Sequence, residues 1–365
     1  MQSILVGSGW HPQLFVAEMS ALLGIGEPIE GTDRMLISDD EITKSKLDYS
    51  ATLDDLLQPA SCIRIDSNQN NEEVLKVAFR DWLETIPQSS DSGSVAVRSV
   101  RHGKRVEGWS PTELAGHLGG VLSNEGWTID LETPEIEIGL VVNCQTGLVA
   151  WGISNFTESP RNGWKDRSPT QRPFFKPISL DPRHARLMLN LLQTRAHVLD
   201  PLCGTGGISI EASMMGIASV AIDLDPEMMQ GAMQNFEWSM ENGGTGNIYP
   251  QLGDATDLVG TLDSRLRGTI NGVCVDPPYG RNSWRSEDAQ TLFIRVCDSA
   301  RQVVEEGSYL ACMLPCEGND DEIVYGKPWD QIREEMRASG WGVKGKWTIP
   351  VHSSMSRVLI LAQTE

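Results

Sequence analysis

Val198-Leu199-Asp200-Pro201-Leu202-Cys203-Gly204-Thr205-Gly206-Gly207-Ile208-Ser209-Ile210-Glu211-Ala212 decides the fold. The stretch 196–199 makes a short strand, the glycines make a turn, and an apolar helix follows. Glycines let the backbone approach a ligand at the carboxyl end of a strand, where open α/β sheets bind. A dinucleotide fingerprint needs a third glycine three residues after Gly206, and that position is Ser209. No Gly-Lys-Ser/Thr follows, so the turn is not a P-loop. Taken alone, such a turn is more often structural than functional, and its meaning depends on what surrounds it.

Downstream the chain alternates strands and helices. The stretch 218–222 is a second strand closed by Asp223, an acid placed to bind a ribose diol. Asp225-Pro226-Glu227 then opens a helix, with Asp225 as N-cap and Pro226 in the first position, which leaves Asp223 as the ribose candidate. A third strand, 247–252, runs into Gly253-Asp254-Ala255, where Asp254 can accept from an adenine amine or simply close a turn. Strands follow at 270–275 and 309–314, and 343–349 with 357–361 reads as a closing antiparallel pair. Helical patterns at 227–240, 289–305 and 328–338 separate them. The expected fold class is α/β, a mostly parallel sheet covered on both faces.

The fourth strand ends in Asp276-Pro277-Pro278-Tyr279-Gly280. This turn offers a carboxylate, a backbone carbonyl left free by a rigid Pro-Pro, and an aromatic plane. A planar base with an exocyclic amine needs these three: the ring stacks, and the amine donates both hydrogens to the carboxylate and the carbonyl. Pro-Pro also marks ordinary turns. The glycine-rich turn about seventy residues earlier favours the chemical reading, because it resembles motif I of S-adenosylmethionine-dependent methyltransferases.

The chain has 365 residues, enough for two or three domains, and 40% hydrophobic residues, enough for real cores. No apolar run approaches a membrane span and no basic-then-apolar signal opens the sequence, so a cytoplasmic protein is expected. The seven cysteines form no Cys-x-x-Cys pair, and Cys312 and Cys316 lack partners of ligand spacing. No metal site and a reducing compartment are expected. Cys203, inside the glycine-rich turn, is expected to pack rather than react.

A net charge of −20 argues against nucleic acid, but its distribution does not. Residues 156–196 carry eight basic and three acidic side chains, interleaved with Trp164, Phe174 and Phe175. Arg161, Lys165, Arg167 and Arg172 are the expected RNA contacts; the bland alternative is a solvated linker whose arginines pair with nearby acids. Arg98, Arg101, Lys104 and Arg105 form a second acid-free cluster.

The N-terminal part shows short strands at 4–6, 63–65, 94–100, 136–142 and 148–152, with helices at 11–23, 74–83 and 111–122. Ser110 with Glu113 reads as a capping box. The pattern suggests small α+β modules rather than one large sheet. His11, His102 and His117 have no metal-ligand spacing.

Arg172-Pro173, then Pro177-Ile178-Ser179-Leu180-Asp181-Pro182-Arg183-His184-Ala185-Arg186-Leu187-Met188-Leu189-Asn190-Leu191, the glycine-rich turn and Asp-Pro-Pro-Tyr-Gly occur in this order. Together they resemble the archaeal and eukaryotic tRNA guanosine-N2 methyltransferases that modify guanosine 10, most strongly across 172–315. The resemblance implies a ferredoxin-like segment over 1–60, a THUMP RNA-binding domain over 61–155, a basic linker over 156–176 and a class I methyltransferase domain over 177–365. It implies that Asp200, Cys203, Gly204, Thr205, Gly206, Gly207, Asp223 and Asp254 form the S-adenosylmethionine site, with 179–186 beside it. It makes Asp276, Pro277, Pro278 and Tyr279 the catalytic turn and tRNA the partner. Two positions depart from the pattern: Leu202 stands where Phe is common, and Asp276 opens the turn in place of Asn. The reading leaves open one or two methyl groups and the need for a small activating subunit. The rivals are a guanine-N2 enzyme for another tRNA position, an adenine-N6 nucleic-acid methyltransferase and a non-catalytic RNA-binding protein.

Overall fold

The computed structural model describes residues 2–30, 32–65, 71–86, 93–106, 110–156, 163–177, 179–194, 196–278, 289–317, 320–352 and 355–365. The chain divides into two compact units, Met1–Asp48 with Thr52–Arg161, and Tyr49–Ala51 with Asn162–Glu365.

The first unit contains β1 (Gln2–Gly7), α1 (Pro12–Leu23), β2 (Met35–Ser38), β3 (Leu53–Arg64), α2 (Asn71–Leu83), β4 (Ser94–His102), α3 (Pro111–Asn124), β5 (Thr128–Ile129), β6 (Ile136–Asn143) and β7 (Leu148–Ser154). Capping sets the helix starts: His11 Nδ1 accepts from the Leu14 amide (3.2 Å) before α1, and Ser110 Oγ from the Glu113 amide (3.3 Å) before α3. The strands form one seven-stranded sheet in the order β2-β1-β3-β7-β6-β4-β5. Leu75, Phe79 and Trp82 of α2, with Leu118 and Val121 of α3, cover Ile138, Leu140 and Trp151 of the sheet.

This corrects the expectation of separate modules meeting at residue 60. β3 runs straight through that boundary and pairs with β1 on one side and β7 on the other. Its sequence hides it, because Asp54, Asp55, Gln58 and Pro59 interrupt any strand pattern. A register shift between Leu57 and Ala60 accommodates Pro59, which has no N–H for the ladder.

The second unit contains α4 (Pro182–Leu191), β8 (His197–Asp200), α5 (Gly207–Met214), β9 (Ala218–Asp223), α6 (Pro226–Glu241), β10 (Ile248–Leu252), α7 (Leu258–Thr261), β11 (Ile270–Val275), α8 (Ala289–Arg301), β12 (Val304–Glu317), β13 (Asp320–Val324), β14 (Lys327–Pro328), α9 (Trp329–Ala338), β15 (Trp341–His352) and β16 (Met355–Thr364). Strands β10-β9-β8-β11-β12 are parallel, and β16 and then β15 continue the sheet antiparallel beyond β12. Phe293 and Val296 of α8 and Ile332 and Met336 of α9 pack on the buried β11, β12 and β16 residues. From β8 the chain moves outward to β9 and β10 on one side, then returns to β11 and β12 on the other. That reversal opens a crevice at the carboxyl ends of β8, β9 and β11, where ligands of open α/β sheets bind.

From Asn162 onward, the stretch expected as a basic linker belongs to this unit. The Phe174 amide donates to Asn235 Oδ1 (2.9 Å), the Phe174 carbonyl accepts from Asn235 Nδ2 (2.9 Å), and the Phe174 ring packs against Gly231 of α6.

Candidate active site

β8 delivers Asp200, 1% exposed, to the crevice. The turn after it is tied to β9 by the Cys203 amide, which donates to the Ile222 carbonyl (2.8 Å). Gly206 begins α5 at φ 83°, and a Cβ there would lie 2.3 Å from Phe236, so the turn admits no larger residue at that point. The Gly204 amide donates to Asp223 Oδ2 (2.8 Å), and the Asp225 amide to Asp223 Oδ1 (2.9 Å). Asp223 therefore fixes the turn while lining the cavity in front of it. Asp225 Oδ1 accepts from the Glu227 amide (2.8 Å) and is the N-cap of α6.

β11 delivers Asp276 from the other side of β8. Asp200, Asp223, Asp276, Pro277, Pro278 and Arg357 all line one cavity of about 680 Å³, within the range that holds a cofactor-sized ligand. Its charge is unbalanced. Burial, with the neighbouring Asp223 and Asp276 charges, pushes the Asp200 carboxyl well above the usual range. Burial also raises Asp223. Asp276 is pushed up to about 6 by burial, against the opposing pull of Arg357, whose Nη1 lies 3.7 Å from Asp276 Oδ2. Neither oxygen of Asp200, nor Oδ1 of Asp276, has a hydrogen-bond partner among the described residues. Buried polar atoms are normally paired, so this wall is suited to a ligand that brings N–H or O–H donors and positive charge.

Residues 169–341 match the family described as "RMKL-like, methyltransferase domain" (UPF0020). This segment is similar to that family's methyltransferase domain. The chain is 28% identical to a tRNA (guanine(10)-N2)-dimethyltransferase of Pyrococcus abyssi over 305 residues, 82% of each chain. It is 26% identical to the protein of the same name from Methanothermobacter thermautotrophicus, over 98% of each chain. The fold is similar to the crystal structure of TrmN from Thermus thermophilus, with a TM-score of 0.54 and 18% identity across both whole chains.

In this methyltransferase domain the expected cofactor residues Asp200, Cys203, Gly204, Thr205, Gly207 and Asp223 line the cavity. Gly206 lies behind it against Phe236. Asp254 does not join them: it is exposed, and its Oδ1 accepts from the Thr256 amide and hydroxyl (2.8 Å each), closing its own turn. Tyr279 and Arg161 lie outside the described residues.

Two of the expected RNA contacts turn inward. Arg167 Nε donates to Glu211 Oε1 (2.9 Å), and Arg172, 5% exposed, donates through Nε to the Arg167 carbonyl (3.1 Å). The cause is Glu211, wholly buried on α5 and also paired with Arg186 Nη2 (2.7 Å). A buried acid draws arginines in, and neither Arg167 nor Arg172 presents its head to a surface phosphate. Lys165 stays exposed.

Three residues that shape or line the site escape sequence reasoning. Glu211 was visible as an acid inside an apolar helix. Asn235 holds Phe174 and, through Nδ2, the Thr205 carbonyl (2.8 Å), joining the 174 segment to the glycine-rich turn. Thr205 Oγ1 and Ser179 Oγ, 2.8 Å apart, make a second tie. Arg357 opens a predicted strand with nothing local to link it to Asp276.

Proposed function

We propose that this protein uses S-adenosylmethionine to methylate the exocyclic N2 amine of guanosine 10 in tRNA. The observation that carries the reading is the catalytic turn: a buried carboxylate with an unpartnered oxygen, followed by Pro-Pro, beside two further carboxylates at the switch point of a methyltransferase sheet. The relatives' names supply the base and position, and their "dimethyltransferase" favours two successive methyl groups.

The donor set fits the cofactor. S-adenosylmethionine carries an ammonium group and ribose hydroxyls, and it supplies a methyl group bonded to a cationic sulfur. Asp200, whose oxygens have no well-formed hydrogen bond among the described residues, would take the ammonium, and Asp223 the ribose hydroxyls. Gly204, where an added Cβ would meet nothing within 4 Å, keeps the backbone open to the ligand.

Asp276 Oδ1 and the Pro277 carbonyl are assigned the two amine hydrogens of guanine, which orients the N2 lone pair, and Tyr279 the stacking face. Positioning of this kind supplies much of a rate enhancement. As the N2–methyl bond formed, the methyl–sulfur bond would break with its electron pair left on sulfur as a neutral thioether, and Asp276 would accept the proton that N2 sheds. A carboxyl near pKa 6 is mostly ionised at neutral pH and more basic than an ordinary aspartate, which suits that task. Guanosine 10 is stacked in tRNA, so its base must be extruded at a cost of a few kcal/mol.

The first unit is assigned the grip on tRNA, in the place a THUMP domain would take. Arg101, Lys104 and Arg105 are exposed at and beyond the end of β4, which supports this. None of the seven cysteines is in a disulfide, and no helix among the described residues is long and apolar enough to cross a membrane.

The test is to incubate the protein with an unmodified tRNA transcript and methyl-labelled S-adenosylmethionine, then map the nucleoside. N2-methylguanosine and N2,N2-dimethylguanosine at position 10 are expected. N6-methyladenosine, or label at another guanosine, would replace the reading with one of its rivals.

A further inference from the structure

Arg357 comes from the antiparallel pair that closes the sheet, far in sequence from either signature turn. On β16 it sits opposite Pro315 of β12 and Ile349 of β15. Its neighbours Val358 and Leu359 are fully buried, so the backbone beneath it is fixed by core packing. Its own side chain is 16% exposed, lines the cavity and places Nη1 3.7 Å from Asp276 Oδ2.

We propose that Arg357 is a positioning residue that keeps Asp276 ionised and aimed into the cavity, so that the aspartate accepts the substrate amine at neutral pH. This rests on the catalytic assignment of Asp276 above. The groups facing Asp276 differ in what they do to it. Asp200, at the end of β8, is itself pushed well above the usual carboxylate range by burial and by the Asp223 and Asp276 charges. Cys312, on β12, is held neutral because burial pushes its thiol well up. Arg357 pulls the other way and limits the rise that burial imposes on Asp276. The Arg357 charge also acts on His184 of α4, which burial chiefly holds down at about 4 and therefore neutral, so the histidine adds no positive charge to compete for Asp276.

The experiment measures single-turnover methylation of a tRNA transcript from pH 5 to 9.5 for wild type, Arg357→Met, Arg357→Lys and Asp276→Asn. Folding is checked by thermal melts and by calorimetric binding of S-adenosylmethionine. The wild-type rate should fall away below about pH 6, the pKa of Asp276. In Arg357→Met that limb should move up by about 1–2 pH units, since a cation at this range lowers a carboxyl pKa by that order. The variant is then slow at pH 6.5 and recovers by pH 9. Arg357→Lys, which keeps the charge, should restore the limb and carries the test if the methionine variant fails to fold. A rate lowered equally at every pH, with the limb unmoved, overturns the proposal and leaves Arg357 a packing residue. An active Asp276→Asn enzyme overturns instead the assignment of Asp276 beneath it.

Discussion

Glu18 in the first unit and Asp200 in the second are both carboxylates removed from water, and their surroundings are opposite. Glu18 takes hydrogen bonds from the Thr52 amide (3.0 Å) and the Thr52 hydroxyl, which staple α1 to the start of β3. Asp55, in the same unit, accepts from Ser154 Oγ (2.6 Å) and the amides of Leu56 (2.8 Å) and Phe156 (3.3 Å). Among the described residues neither oxygen of Asp200 has a well-formed hydrogen bond, only the nearby Leu202 amide, and Asp276 has only the approach of Arg357. Glu211, just past the glycine-rich turn from Asp200, is again satisfied, by two arginines. A buried acid whose donors come from the chain is architecture. One that faces a cavity without them is reserved for a ligand.

That contrast breaks first at Asp276. Asp276→Ala should lower the single-turnover rate by about 10²–10⁴, the usual worth of a positioned acid or base. Calorimetry should find S-adenosylmethionine affinity nearly unchanged, because this carboxylate faces the base. Near wild-type turnover would show that the unpartnered oxygen is incidental.

Glu211→Ala should do the reverse. It strands Arg167 and Arg186 as buried cations, and loss of one partner of such a cluster costs about 3–5 kcal/mol. Urea unfolding reads this directly; a loss under about 1 kcal/mol, the range of exposed pairs, would mean the cluster behaves as a surface one.

Between these lies Asp223, which serves both the turn and the cavity. Asp223→Ala should weaken S-adenosylmethionine binding by about 1.5–3 kcal/mol, the value of hydrogen bonds to a charged group. Unchanged affinity in a folded variant would move the ribose role to Asp225.

The smallest expected effect has an unusual sign. Asp276 titrates at about 6 in the fold against an ordinary 3.8. The native state therefore binds the proton more tightly, and ionising this group costs stability as pH rises from about 4 through 6. Asp276→Asn should raise stability at pH 7.5 by roughly 1–3 kcal/mol. The gain should disappear near pH 4, where the aspartate is protonated anyway. A variant less stable than wild type at pH 7.5 would show that Arg357 outweighs burial.

The two units also differ in how plainly the sequence announces them. β8, β9 and β11 are short apolar runs ending in an acid, because parallel strands are buried on both faces and their carboxyl ends meet the ligand. Each could be read locally, and so could the carboxylates they deliver. β3 could not: its pattern is broken by polar residues and Pro59, and its partners lie at opposite ends of the first unit. The basic stretch shows the same limit from another side. Composition reveals how many arginines are present, but their direction is set by Glu211, an acid that lies in a different element. Arg357 likewise meets Asp276 only because β16 folds back beside β12.

The strand order of the first unit also has a consequence during synthesis. β1 pairs with β2 on one edge and β3 on the other, and the far edge of β3 needs β7, which is made last of the seven strands. At about 5–20 residues per second, the interval between the emergence of β3 and of β7 is on the order of ten seconds. For that time a long strand presents an open hydrogen-bonding edge, a template for pairing with another chain. Pro59 and the charged Asp54, Asp55 and Arg64 along β3 are residues that discourage such pairing. Asp54, Asp55 and Pro59, which hid the strand from sequence reading, are thus of the residue types that blunt an open edge.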